Sequence, residues 1–171
     1  MDALTCLKTR RSIRTYRTAP VPRALIEDVV DCARLAPTAF NRQAWTFVVV
    51  QDAAVRSRIT DITGHAAFIA QAPVCIAVFC GPTEFWVEDG CAATENILLA
   101  AWAHGLGTCW VGGYQTPYAN TVRDLLEVPA EQQLVSLVSL GYPAEEPVVE
   151  KKPLADVLRW DRREPFDAAT G

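Results

Sequence analysis

Three runs of this chain are apolar at nearly every position: residues 45–51 (WTFVVVQ), 74–80 (VCIAVFC) and 134–140 (LVSLVSL). A strand with one wet face alternates apolar and polar side chains, because successive side chains point to opposite sides. The first two do not alternate, so they read as strands covered on both faces, and 134–140 reads as a third strand. The covering material must be helical, and the intervening sequence supplies it. Residues 2–9 predict a short helix. Pro20 and Pro22 open a second, with Pro22 suited to its first turn and Leu25, Ile26, Val29, Val30 and Ala33 at helical spacing. Pro37 ends it, and residues 38–44 form a polar loop. Residues 52–63 and 119–126 predict further helices, and 110–114 an extended, glycine-broken stretch.

The longest helical pattern runs from Trp86 to His104, about 28 Å at 1.5 Å per residue, with Gly105 placed to end it. Gly90, Cys91, Ala92, Ala93, Ala100 and Ala101 line it, and such small residues allow another helix to approach closely, within the subunit or across a dimer.

Composition limits the partners. With 171 residues, 50% hydrophobic and 21% charged, the chain has enough material for one domain, 1–171, around a real core. A formal charge of −4 argues against nucleic acid, which demands a broad basic surface. No charge-free stretch reaches transmembrane length, so no membrane partner is expected. The six cysteines form no CxxC and only two histidines could join them, so no metal site is predicted. Met1-Asp2 leads into a mixed segment without an apolar leader, which predicts a cytoplasmic, reduced protein. Residues 144–171 are charged and contain proline, too polar for a core of their own, and must wrap over something or fray.

Against this acidic background, Arg10, Arg11, Arg14 and Arg17 gather around Ser12 within eight residues. Four cations so close repel one another, which points to an anion among them. In an extended stretch Arg10, Ser12 and Arg14 share one face, a donor set suited to a phosphate, with Arg11 and Ile13 on the other.

Four segments in order resemble the FMN-dependent nitroreductase family. They are RRSIR at 10–14, APTAFNRQAW at 36–45, GLGTCWVGGY at 105–114 and SLGYP at 139–143 followed by Lys151-Lys152-Pro153-Leu154. The resemblance implies an α+β nitroreductase-like fold, a mainly antiparallel central sheet flanked by helices, in an intertwined homodimer. It implies FMN at the subunit interface, with the segment from about 144 to 171 extended over the partner. Arg10 and Ser12 would hold the phosphate, Arg11 would belong to the same motif, and Arg14 would lie near the ring's N1/C2 edge, stabilising negative charge on reduction. From the other subunit would come Pro37, Thr38 and Asn41. Gln43 and Trp45 also match the family pattern, whereas Ala39 and Ala44 depart from it. Gly112 and Gly113 would bring backbone against the ring and aim an N–H at N5. Lys151 and Lys152 would add cations near the phosphate.

The implied activity is hydride transfer from NADPH or NADH, as transient donor, through flavin N5 to a small acceptor by a ping-pong mechanism. The acceptor would be a nitroaromatic, a quinone or a flavin. No side chain is then required as a catalytic residue, because the flavin carries the chemistry. Phe40, Phe85 and Trp86 are candidate walls for the substrate. A flavin-binding carrier or regulatory module with little turnover is the alternative.

Overall fold

A computed structural model describes residues 1–160. Its elements are α1 (Ala3–Thr9), α2 (Arg23–Arg34), a single 3-10 turn (Ala39–Asn41), β1 (Trp45–Val50), α3 (Ala53–Thr63), α4 (Phe68–Gln71), β2 (Val74–Cys80), α5 (Trp86–Ala103), β3 (Gly107–Gly112), α6 (Ala119–Leu125), β4 (Gln133–Gly141) and α7 (Leu154–Val157). The strands form one sheet in the order β1-β2-β4-β3, with every ladder antiparallel. A bulge between Val78 and Phe79 shifts the β2–β4 register.

Both faces of the sheet's centre are covered, whereas β1, expected to be covered on both faces, lies at the sheet's edge with Thr46 and Val49 exposed. On one face Val74, Ile76, Val78, Val135 and Val138 pack with Ile26, Val29 and Ala33 of α2 and with Ile97, Leu98 and Ala101 of α5. On the other, Cys75, Ala77, Phe79, Val111 and Leu137 pack with Ile59 of α3, Ile69 of α4 and Val122 of α6. Every residue of β2 is buried, so the unbroken apolar run is the signature of a central strand. Burial also pushes the Cys75 thiol up to about 12, which makes it an inert filler of the core.

Several details depart from the expectations. Pro22 is the N-cap of α2 rather than a residue of its first turn. The third strand in the chain is β3, Gly107–Gly112, three residues earlier than the extended stretch expected at 110–114. Gly105, at φ 74°, reverses the chain immediately after α5, so the strand can start at once. The small face of α5 meets the sheet as well as a helix: a Cβ on Gly90 would lie 2.5 Å from Val135 Cγ2 of β4. Helices α4 and α7, four residues each, are too short to show a periodicity and were not foreseen.

The start of the C-terminal segment is anchored. Ala144 N–H donates to Thr15 O at 2.9 Å, and Arg17 N–H donates to Tyr142 O at 2.9 Å. Beyond it Val148, Val149, Leu154, Val157 and Trp160 are exposed apolar side chains on an arm that stands off the core. The rest of the segment expected to cross a partner, 161–171, lies outside the described residues. Among the described residues, no helix is long and apolar enough to cross a membrane, and no group of three or more His, Cys, Asp or Glu could hold a metal ion.

Candidate functional site

The basic segment docks on the outer edge of β3. Ser12 forms a parallel bridge with Thr108, and Ile13 N–H donates to Thr108 O at 2.8 Å. What holds the segment down is Ile13, 1% exposed, lying over Gly107. A Cβ on Gly107 would come within 2.7 Å of the Ile13 side chain, so only glycine lets the segment lie this close. Tyr16 completes the attachment: its hydroxyl donates to Ile13 O and shares a 2.6 Å bond with Ser139 Oγ. Burial raises the Tyr16 pKa above the ordinary phenol range, so the hydroxyl stays protonated. Ile13→Ala should therefore cost about 2–5 kcal/mol. A thermal melt should show it as a Tm lower by roughly 5–15 °C.

With Ile13 buried, its neighbours are displayed. Arg10 is held at 3.6 Å by Glu95 of α5 through Nε, and its terminal nitrogens make no hydrogen bond among the described residues. The Arg14 guanidinium lies 5.9 Å from the Phe68 ring centroid and is otherwise open. Between them sits half-buried Ser12, beside the Cys109 thiol, which burial raises and the Arg14 charge and Ser12 hydroxyl partly lower again. Arg11 is turned away, donating from Nη1 to Lys8 O and Arg10 O at the end of α1. Below the strip, Glu145 Oε1 accepts the amides of Arg14 at 2.5 Å and Thr15 at 3.0 Å. Those bonds, the Arg14 amide foremost, hold its carboxyl below the usual range. Glu95 and Glu145 carried no local signal that could have placed them here.

The two glycines at the far end of β3 differ. Gly113 N–H donates to Val135 O of β4 at 2.8 Å, and a Cβ there would lie 2.6 Å from Leu134 Cγ and 2.9 Å from Leu134 O. Its missing side chain serves packing. In an antiparallel ladder, alternate residues turn their backbone groups toward and away from the neighbouring strand. Gly112, paired with Ser136, therefore turns outward, and its carbonyl accepts the Tyr118 hydroxyl. The Gly112 N–H thus points along the same open edge on which the basic strip docks. A Cβ on Gly112 would meet nothing within 4 Å. From Thr108 to Gly112 this edge is about 13 Å long at roughly 3.3 Å per residue.

Aromatic side chains gather beyond the Gly112 end. Tyr114 meets Trp86 edge-on with centroids 5.4 Å apart, and Phe85 meets Phe40 at 6.3 Å. Phe40 belongs to the loop after α2, where Phe40, Asn41 and Gln43 all have φ near +50°. For a bulky residue this left-handed backbone costs about 1–2 kcal/mol. It leaves Phe40 82% exposed beside a cleft of about 250 Å³ lined also by Arg42, Thr83 and Phe85. Thr38 accepts Gln43 N–H through Oγ1, and Asn41 Oδ1 accepts from Gln43 Nε2 at 3.1 Å, while Pro37 is exposed. Among the described residues, no hydrogen bond or ion pair joins this loop to the basic strip of its own chain. Lys151 and Lys152 are exposed on the arm and make no hydrogen bond or ion pair among the described residues. Tyr114, at the site's aromatic end, closes the 105–114 segment, and nothing in its local sequence signals that role.

The chain matches the model of the Nitroreductase family over residues 7–73 and 62–142, which takes in the strip, the loop, both glycines and all of the sheet. It belongs to the nitroreductase family. A Methanothermobacter thermautotrophicus protein named as an NADH dehydrogenase/NAD(P)H nitroreductase is 39% identical over 153 residues, 86% of this chain and 80% of that protein. A 5,6-dimethylbenzimidazole synthase of Rhodospirillum rubrum is 31% identical, covering 96% of this chain and 90% of its own. Among solved structures, an FMN-dependent nitroreductase of Clostridium difficile R20291 superposes with a TM-score of 0.88 at 26% identity, over 94% of this chain and 99% of that one. The nitroreductase fold expected from the four segments is therefore the observed one, and its helices and strands bring two of those segments onto one edge.

The donor set on that edge fits a flavin mononucleotide. Open guanidinium groups flank a hydroxyl at one end, a free backbone N–H lies at the other, and aromatic rings stand beyond it.

Proposed function

We infer that this nitroreductase-family chain is an FMN-dependent oxidoreductase. It takes a hydride from NADPH or NADH and passes it to a small organic acceptor, a nitroaromatic, quinone or flavin, in a ping-pong cycle. The observation that carries the reading is the shared open edge of β3, with the Arg10–Ser12–Arg14 strip at Thr108 and the outward N–H at Gly112.

Bound FMN would supply reversible hydride acceptance at N5. The chain's own residues do the rest. Arg10 and Ser12 bind the phosphate through charge-assisted donors, with Glu95 fixing the guanidinium of Arg10. Arg14 places positive charge at the pyrimidine edge of the ring, where it stabilises the reduced state. Gly112, rather than Gly113, offers the backbone donor toward N5. Pro37, Thr38 and Asn41 act from a second copy, a role favoured by a loop that has no hydrogen bond or ion pair to the strip of its own chain among the described residues. The exposed apolar arm after Gly141 favours a homodimer, with Lys151 and Lys152 carried toward the phosphate. Phe40, Phe85, Trp86 and Tyr114 wall the acceptor's end and exclude water.

A visible spectrum tests this reading. The purified protein should be yellow and should bleach within seconds of anaerobic NADPH or NADH. Yellow protein that stays oxidised with both would make the chain a flavin-binding module; colourless protein that takes up no added FMN would end the flavin reading. The Rhodospirillum rubrum relative supports a second reading, in which the chain is a 5,6-dimethylbenzimidazole synthase, and chromatographic detection of that compound in the reaction mixture tests it.

A further inference from the structure

Asp89, in the first turn of α5, is 4% exposed although it is a carboxylate. Its Oδ1 accepts the Ala39 N–H at 2.9 Å, and its Oδ2 is buried with no partner among the described residues. A buried carboxylate is costly unless its bonds matter, and here the whole group serves one amide. That amide opens the loop in which Phe40, Asn41 and Gln43 have φ of 52°, 55° and 50°. The loop's other bonds are internal: Gln43 N–H to Thr38 Oγ1, Asn41 N–H to Thr38 O and Arg42 N–H to Ala39 O. Among the described hydrogen bonds, Asp89 to Ala39 is the one that ties residues 38–43 to another element. Three non-glycine residues in the left-handed region persist only where the surroundings over-determine them.

We propose that Asp89 is a positioning residue: it holds the 38–43 loop in its left-handed shape, so that Phe40 and Asn41 are presented to a flavin site. The presentation rests on the flavin reading above, whereas the holding of the loop does not. Asp89 touches no substrate in this scheme and acts through the Ala39 amide alone.

Two readouts separate these parts. Arg42 is exposed in the loop, so trypsin cleavage after it in the flavin-free protein reports loop opening directly. FMN affinity, measured by quenching of flavin fluorescence, reports the presentation. Asp89→Ala should raise the cleavage rate and the FMN Kd each by about tenfold. Asp89→Asn keeps a carbonyl acceptor for Ala39 and should stay within about twofold of the unaltered protein in both. Gln43→Gly, which removes one left-handed penalty, should recover at least about threefold of each loss when added to Asp89→Ala. Should Asp89→Ala fail to fold, Asp89→Leu, which fills the same space without an acceptor, takes its place. Unchanged cleavage in Asp89→Ala, equal damage from Asp89→Asn, absence of rescue by Gln43→Gly, or collapse of every Asp89 variant would overturn the proposal. If the unaltered protein takes up no FMN, the flavin reading falls, and the cleavage rates still decide whether Asp89 holds the loop.

Discussion

Replacing Arg10 and Arg14 together with alanine should raise the FMN dissociation constant by at least about a hundredfold, with little change in the fold. Each guanidinium is expected to give charge-assisted bonds worth about 1.5–3 kcal/mol, and every 1.4 kcal/mol is a factor of ten. Neither side chain contributes to the core: Arg10 has one ion pair with a partly exposed Glu95, and Arg14 one contact over Phe68. The anchoring of the strip resides in Ile13 and Tyr16, which the double variant leaves alone. Fluorescence titration of FMN into the flavin-free protein measures the effect, and a far-ultraviolet spectrum checks the fold. Undiminished affinity would remove the phosphate role from the strip and leave four clustered cations without a ligand. Arg11→Ala is a useful contrast, because Arg11 already caps α1 and should alter FMN affinity far less.

The two adjacent glycines should separate stability from cofactor binding. Gly113→Val must push a side chain into Leu134, including its backbone carbonyl 2.9 Å from the new Cβ, at the end of the β3–β4 ladder. Overpacking against backbone that cannot move aside costs about 1–3 kcal/mol or more. The melting temperature should drop sharply, and the protein should be recovered poorly. Gly112→Ala meets nothing within 4 Å, so its stability should hold to within about 1 kcal/mol. Its added methyl nevertheless stands on the open edge where the flavin ring is expected, and FMN binding should weaken by about tenfold. A Gly113→Val protein as stable as the unaltered one would show that β3 relaxes away from Leu134. A Gly112→Ala protein with full FMN affinity would move the ring off this edge.

Much of this was legible in the chain itself. The unbroken apolar run at 74–80 can satisfy its side chains only between two covering layers, and it became the sheet's buried centre, whereas the similar run at 45–51 landed on an edge with Thr46 and Val49 exposed. The stripe Ile26, Val29 and Ala33 declared the buried face of α2. The basic cluster stood out as a local concentration of charge, and the structure leaves the Arg14 guanidinium and the terminal nitrogens of Arg10 open there. Other features left no local trace. Whether a glycine is needed for packing or for access depends on what stands opposite, and only the pairing of β3 with β4 distinguishes Gly113 from Gly112. Glu145 reaches Arg14 and Thr15 across 131 and 130 residues of chain, a separation at which no pattern in the sequence signals contact. Asp89 looked like one more acidic residue near the start of a helix.

The kind of elements, the layers that must cover them and the cluster of cations at residues 10–14 follow from periodicity, capping and charge, which are local properties of the chain. Ser12 lying on Thr108, the Gly112 N–H sharing that edge and a buried carboxylate accepting the Ala39 amide are all products of three-dimensional packing. Register and close approach arise from pairs of residues distant along the chain, and they take a value only when the whole core packs.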